Sequence, residues 1–158
     1  MKTKISVAII SLLFMIACSS GSGEQSTEAE KPVSNKMILK AYNDKYVVMS
    51  GDSALVANET DAAKAEVFEK IDQGNGKWAL KTSAGKFVSD DAGKLFANRA
   101  AVGAWEEFEI IPASDTEAKI NLKSHTGKLV CVDGGMNDVL FASRDQAGAW
   151  ETLTVEPK

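Results

Sequence analysis

Glu66, Glu106 and Glu151 stand two residues before Phe68, Phe108 and Leu153, so one carboxylate recurs at a fixed place three times. Carboxylates can do acid–base chemistry when two of them converge on one substrate. Threefold spacing sets these far apart, and a glutamate beside a turn has a simpler use in accepting backbone N–H groups. His125, in "SHTG", is the one histidine of the chain, with no neighbouring Cys or His for a metal, and it reads as a surface turn residue. "DDAG" (Asp90, Asp91) and "DGGMND" (Asp133, Asn137, Asp138) offer oxygen ligands for a cation. They lack the ligand spacing of a calcium loop and read as hairpin turns. Cys131, between Val130 and Val132, reads as a small buried hydrophobe. With no nucleophile elbow, phosphate-cradling loop or metal cluster, the expectation is a chain that is not an enzyme and carries no cofactor and no metal.

Aromatic side chains offer binding chemistry instead. Trp105 and Trp150 both stand in "GAWE", and Tyr42 occupies a position where sister segments have Ser83 and His125. If Phe108 points inward, alternation along a strand sends Trp105 outward, and Trp150 likewise. A bulge would reverse that parity and tuck both rings beneath the fold as structural caps, which is the preferred reading. Trp105, Trp150 and Tyr42 are nonetheless the candidate ligand-binding residues, as stacking platforms for a sugar or a contact for a protein. Lys45, Lys86 and Lys128 recur in equivalent turns and read as solvated residues whose stems cover apolar surface.

These residues lie on a repeat. Leu39, Leu80 and Leu122 open three units of about residues 37–75, 76–115 and 116–158. Tyr46, Phe87 and Leu129 follow, then Leu55, Leu95 and Leu140, each two residues before an alanine (Ala57, Ala97, Ala142). Short β-branched and aromatic runs separated by turn residues predict four strands per unit. In "NDK" of the first unit, Asp or Asn replaces the turn glycine of "TSAG" and "SHTG". The alanine-rich "ETDAAKAEVFEK" has helix propensity, but its alignment with loop and strand in the sister units predicts no helix there. A single unit cannot bury its apolar face alone, and three units of this length are few for a propeller or a solenoid. The expected fold is all-β: a β-trefoil of three four-stranded units with pseudo-threefold symmetry.

The Trp residues lack the Gln two positions upstream that marks ricin-type lectin trefoils. "GKFVSDDAGKLFANRAAVGAWEEFEI" and "GKLVCVDGGMNDVLFASRDQAGAWETLTV" instead resemble units of the fascin-like, actin-crosslinking type of β-trefoil. Unit 1 departs from that pattern, with Ala65 where the others have Trp. In eukaryotes the resemblance implies actin crosslinking by several trefoils in one chain, an activity not expected of a single trefoil.

The start of the chain adds an address. "MKTK" and the apolar "ISVAIISLLFMIA" read as a signal peptide over residues 1–17. "FMIA" before Cys18 resembles the lipobox of bacterial lipoproteins, with Met15 at the usual Leu position. That resemblance implies lipidation of Cys18, and Ser19 after it implies the outer membrane, on its periplasmic or surface face. Residues 18–36 then form a lipidated Cys and a flexible tether, spanning about 23 Å root-mean-square, and residues 37–158 form the trefoil. Without Lys2 and Lys4, 16 basic residues face 22 acidic ones, a net charge of −6. An acidic domain argues against nucleic acid as a partner. The expectation is a monomeric, lipid-anchored extracytoplasmic binding module for a carbohydrate or protein ligand. The alternative is a structural envelope lipoprotein docked on a protein partner.

Overall fold

The alternation of apolar residues with turn chemistry produces twelve strands among the described residues, 34–115 and 118–158 of a computed structural model. The signal peptide and Cys18 lie outside the described residues. Unit 1 contributes β1 (Lys36–Lys40), β2 (Tyr46–Met49), β3 (Leu55–Glu59) and β4 (Phe68–Gly74). Unit 2 contributes β5 (Lys77–Lys81), β6 (Phe87–Asp91), β7 (Lys94–Arg99) and β8 (Phe108–Pro112). Unit 3 contributes β9 (Lys119–Lys123), β10 (Leu129–Asp133), β11 (Val139–Arg144) and β12 (Leu153–Pro157). No α-helix occurs among the described residues, and "ETDAAKAEVFEK" forms a turn leading into β4.

The outer strands of each unit close a ring. β1 pairs with β4, β4 with β5, β5 with β8, β8 with β9, β9 with β12, and β12 again with β1, all antiparallel. This six-stranded barrel leaves none of those strands as an open edge. The inner strands form the hairpins β2–β3, β6–β7 and β10–β11. Each hairpin carries a bulge at the same place, between Tyr46/Val47, Phe87/Val88 and Leu129/Val130, which bends its strands away from the barrel. Bridges at Val139–Val56, Phe141–Lys94 and Ala54–Phe96 join the three hairpins into a cap. The fold is the β-trefoil.

The recurring apolar residues meet on its axis. Leu39, Leu80 and Leu122, Leu55, Leu95 and Leu140, and Phe68, Phe108 and Leu153 are all buried in one core. Each such side chain contributes about 1.5–3 kcal/mol on burial. Ala57, Ala97 and Ala142 complete it. Their N–H groups donate to the carbonyl oxygens of Asp138, Ser53 and Gly93, at 2.8, 2.8 and 2.7 Å, on the hairpin tip of the preceding unit. All three tip residues have positive φ, so one strained conformation is repeated by three different residue types. Asp44 in "NDK" has φ 60°, in register with Gly85 and Gly127. Cys131 is buried and free, with its Sγ 3.3 Å from the Phe141 carbonyl oxygen.

Candidate functional site

Strand alternation does not govern the two Trp residues, because each sits on a single 3-10 turn: Ala104–Glu106 and Ala149–Glu151. Such a turn sends consecutive side chains to different sides. Glu106 and Glu151 go in and are buried, while Trp105 and Trp150 stay 49% and 47% exposed. The glutamates do what a buried carboxylate beside a turn requires. Glu106 Oε2 accepts Gly103 N–H at 2.8 Å, and Glu66 Oε1 accepts Ser83 N–H of the following unit at 2.7 Å. In units 2 and 3 an arginine sits between the two side chains of the turn. Arg99 Nε lies 3.7 Å from Glu106 Oε1 with its guanidinium 5.7 Å from the Trp105 ring centre. Arg144 repeats this at 3.8 Å from Glu151 and 5.7 Å from Trp150. Unit 1 lacks both partners, with Glu59 and Ala65 in their places.

Each Trp leans across to the first turn of the next unit. Trp105 stacks on His125, with centroids 6.2 Å apart and planes at 25°. Trp150 stacks on Tyr42 at 5.8 Å and 24°, where unit 3 closes onto unit 1. At the third junction the equivalent residues are Ala65 and Ser83, too small to stack. Tyr42, 39% exposed, is half of a stacked pair. His125 is the surface turn residue expected, and it is also the stacking partner of Trp105. The structure thus brings Tyr42 and Trp150 together and keeps Trp105 at a different junction.

The junction of units 2 and 3 forms a cleft. It encloses about 360 Å³, within the roughly 300–1,000 Å³ of ligand sites. Trp105, His125, Gly93 and Phe141 line it, together with Asp90, Thr126 and Lys128. The hairpin tips explain why this junction has room. Unit 2 turns in two residues, Ala92 and Gly93, between Asp91 and Lys94. Unit 3 turns in five, including the 3-10 turn Gly134–Met136. Gly134 lies against the Tyr42 hydroxyl, where even a Cβ would come within 3.3 Å, and Lys45 pairs with Asp138 at 3.5 Å. The longer loop covers what the shorter one leaves open.

Asp90 is also unlike the hairpin-turn residue the sequence suggests. It belongs to β6, its side chain is fully buried, and its Oδ1 accepts Gly93 N–H at 2.7 Å. Its Oδ2 has no hydrogen-bond partner, and His125 Nδ1 stands 3.7 Å away, beyond hydrogen-bond reach. Sequence reasoning missed the pairing of Asp90 with His125, although one signal was present: the sister positions are Met49 and Val132. Among the described residues no three His, Cys, Asp or Glu side chains group as metal ligands.

The FRG1-like domain family model matches residues 59–157. No curated protein matches the sequence. Among solved structures, the designed threefold-symmetric protein ThreeFoil is similar, with a TM-score of 0.65 and 14% identity over 77% of this chain and 97% of that one. SeviL bound to asialo-GM1 saccharide gives 0.60 and 8% over 78% and 98%. The GlcNAcα1-4Gal-releasing endo-β-galactosidase from Clostridium perfringens gives 0.63 and 7% over 78% of this chain and 32% of that one. At these identities the likeness concerns the fold.

Proposed function

The chain belongs to the FRG1-like domain family, and from that premise we propose that it is a non-catalytic carbohydrate-binding module acting through the cleft between units 2 and 3. One observation carries this reading: a half-exposed Trp105, braced by Arg99 and laid on His125, forms the wall of a cleft of ligand size. A sugar ring has an apolar face that lies flat on an indole and a polar rim that seeks hydrogen bonds, and the cleft supplies both. SeviL, solved with a saccharide, makes this a use to which a similar fold is put. Lipidation of Cys18 would hold the module on the bacterial outer membrane. The fascin-like resemblance of the repeats is kept for their pattern, and actin crosslinking is not part of the reading.

The test is retention of the full-length, detergent-solubilised protein on a panel of immobilised polysaccharides. Trp105→Ala is expected to weaken binding at least tenfold, about 1.4 kcal/mol, with the melting temperature little changed. A parent protein retained by no glycan, or a Trp105→Ala variant bound as well as the parent, overturns the reading. Mass spectrometry of the native N-terminus tests the lipid on Cys18, and an unmodified mature cysteine there removes the anchor.

A second reading is docking on an envelope protein, and the junction of units 3 and 1 favours it. Tyr42, Trp150 and Met136, the last 52% exposed, place large apolar surface on neighbouring loops there. A photo-crosslinking residue in place of Trp150 is then expected to capture one protein species in intact cells, and one in place of Trp105 none.

A further inference from the structure

Asp90 is costly as a structural residue. A buried acceptor left without a donor destabilises a fold, the more so when it is charged. The turn at Ala92–Gly93 needs only Oδ1, the oxygen that accepts Gly93 N–H. A serine or asparagine would supply that acceptor without a charge. The second oxygen is buried without a hydrogen-bond partner, with His125 Nδ1 3.7 Å away, on a residue that lines the cleft. Met49 and Val132 show what the same position becomes when it serves only packing.

The surroundings restrict what could satisfy Oδ2. A ligand must bring a hydrogen-bond donor, and it must not bring a negative charge beside the carboxylate. The basic groups near the cleft already face carboxylates: Lys128 Nζ with Asp145 at 2.5 Å, Arg99 with Asp91 at 3.6 Å and Glu106 at 3.7 Å, and His125 Nδ1 with Asp90 itself at 3.7 Å. We infer that the cleft is a subsite for a neutral pyranose, with Asp90 as the specificity-determining acceptor for one of its hydroxyls while the ring lies on Trp105. This rests on the carbohydrate reading above. Asp90 would reject uronic acids by like-charge repulsion in a site where burial strengthens it. The hydroxyl proton would complete the carboxylate's hydrogen bonds, so the ligand relieves a cost that the free protein carries.

The experiment compares the full-length protein and its Asp90→Asn variant on galactan, dextran, mannan and polygalacturonate, with thermal melts of both. At least one neutral polymer is expected to bind and polygalacturonate not to. Asp90→Asn keeps the acceptor for Gly93 N–H but turns a donor toward the ligand. It should weaken neutral-polymer binding at least tenfold with a melting temperature equal to or above the parent's. A variant that binds as the parent does, or polygalacturonate bound as tightly as the neutral polymers, overturns the inference. If Trp105→Ala abolishes binding in that case, the carbohydrate reading stands and only the role of Asp90 falls. A parent that binds none of the polymers overturns both. Should Asp90→Asn fail to fold, Asp90→Ser, with a hydroxyl for the Gly93 N–H, is read by the same criteria.

Discussion

Asp52 shows how a single side chain joins two units. Ser50 Oγ donates to its carboxylate, Ala54 N–H donates at 3.2 Å, and Lys94 of the next unit lies at 3.4 Å. The Ser50 hydroxyl, then the Ala54 amide, hold its pKa down at about 2 from the ordinary 3.8. A carboxylate with a depressed folded pKa adds stability above its unfolded value, and that contribution is lost as pH falls from about 4 towards 2. Ser50→Ala should therefore move the Asp52 titration up towards 3.8, read by carboxyl NMR. At this same scale, some of the site was legible and some was not. Trp105, Trp150 and Tyr42 could be picked by residue type alone, because large aromatics in loop positions are few. The pairing of Asp90 with His125 was not legible, since the two stand 35 positions apart and meet only through the closure of the barrel. Their chemistry comes from proximity, which spacing along the chain does not encode.

The β6–β7 hairpin is the element that opens the cleft, and its turn is strained. Two positive φ angles, 51° at Ala92 and 94° at Gly93, mark a tight two-residue turn that favours Asn-Gly. Ala92→Asn should raise stability by up to about 1 kcal/mol, measured by chemical denaturation. Gly93→Ala should do the reverse by about 1–3 kcal/mol, because its Cβ would stand 2.6 Å from the Phe141 ring in a backbone region closed to alanine. Phe141 must then move, so the carbohydrate reading proposed above predicts that affinity falls with stability. The strands and the positive-φ turns were readable from threefold repetition, which also overruled the helix propensity of "ETDAAKAEVFEK". The 3-10 turns at Trp105 and Trp150 were not, because a three-residue turn leaves no periodicity to detect. Alternation and a bulge gave opposite answers for the two rings, and the preferred one, caps tucked beneath the fold, is not where the half-exposed rings lie.

At the scale of the molecule, ring closure makes the first and last strands neighbours. Met37 pairs with Pro157 and Lys40 with Thr154, and Lys158 N–H donates to Lys36 O at 3.0 Å. Phe108→Ala should cost about 3–5 kcal/mol, since its ring lies fully buried in a core shared by all three units. Unfolding by denaturant should remain one transition by both fluorescence and circular dichroism, with no unit surviving alone. Deletion of residues 153–158 should abolish that transition, because it opens the barrel on both sides of β12. The fold class was legible because symmetry is written three times. The cleft between units 2 and 3 was not, because it depends on one loop being shorter than its sister.

The stacks at Trp105–His125 and Trp150–Tyr42 each take one ring from the end of a unit and one from the start of the next. The aromatic seams are therefore out of phase with the repeat that builds the barrel. Neither stack lies within one unit. Three identical copies of unit 2, assembled as a trimer, would set Trp105 against Ser83 at every seam and make no aromatic pair, whereas three copies of unit 3 would set Trp150 against His125 at all three. What a seam displays is decided by which unit follows which, while the barrel needs only that three units close.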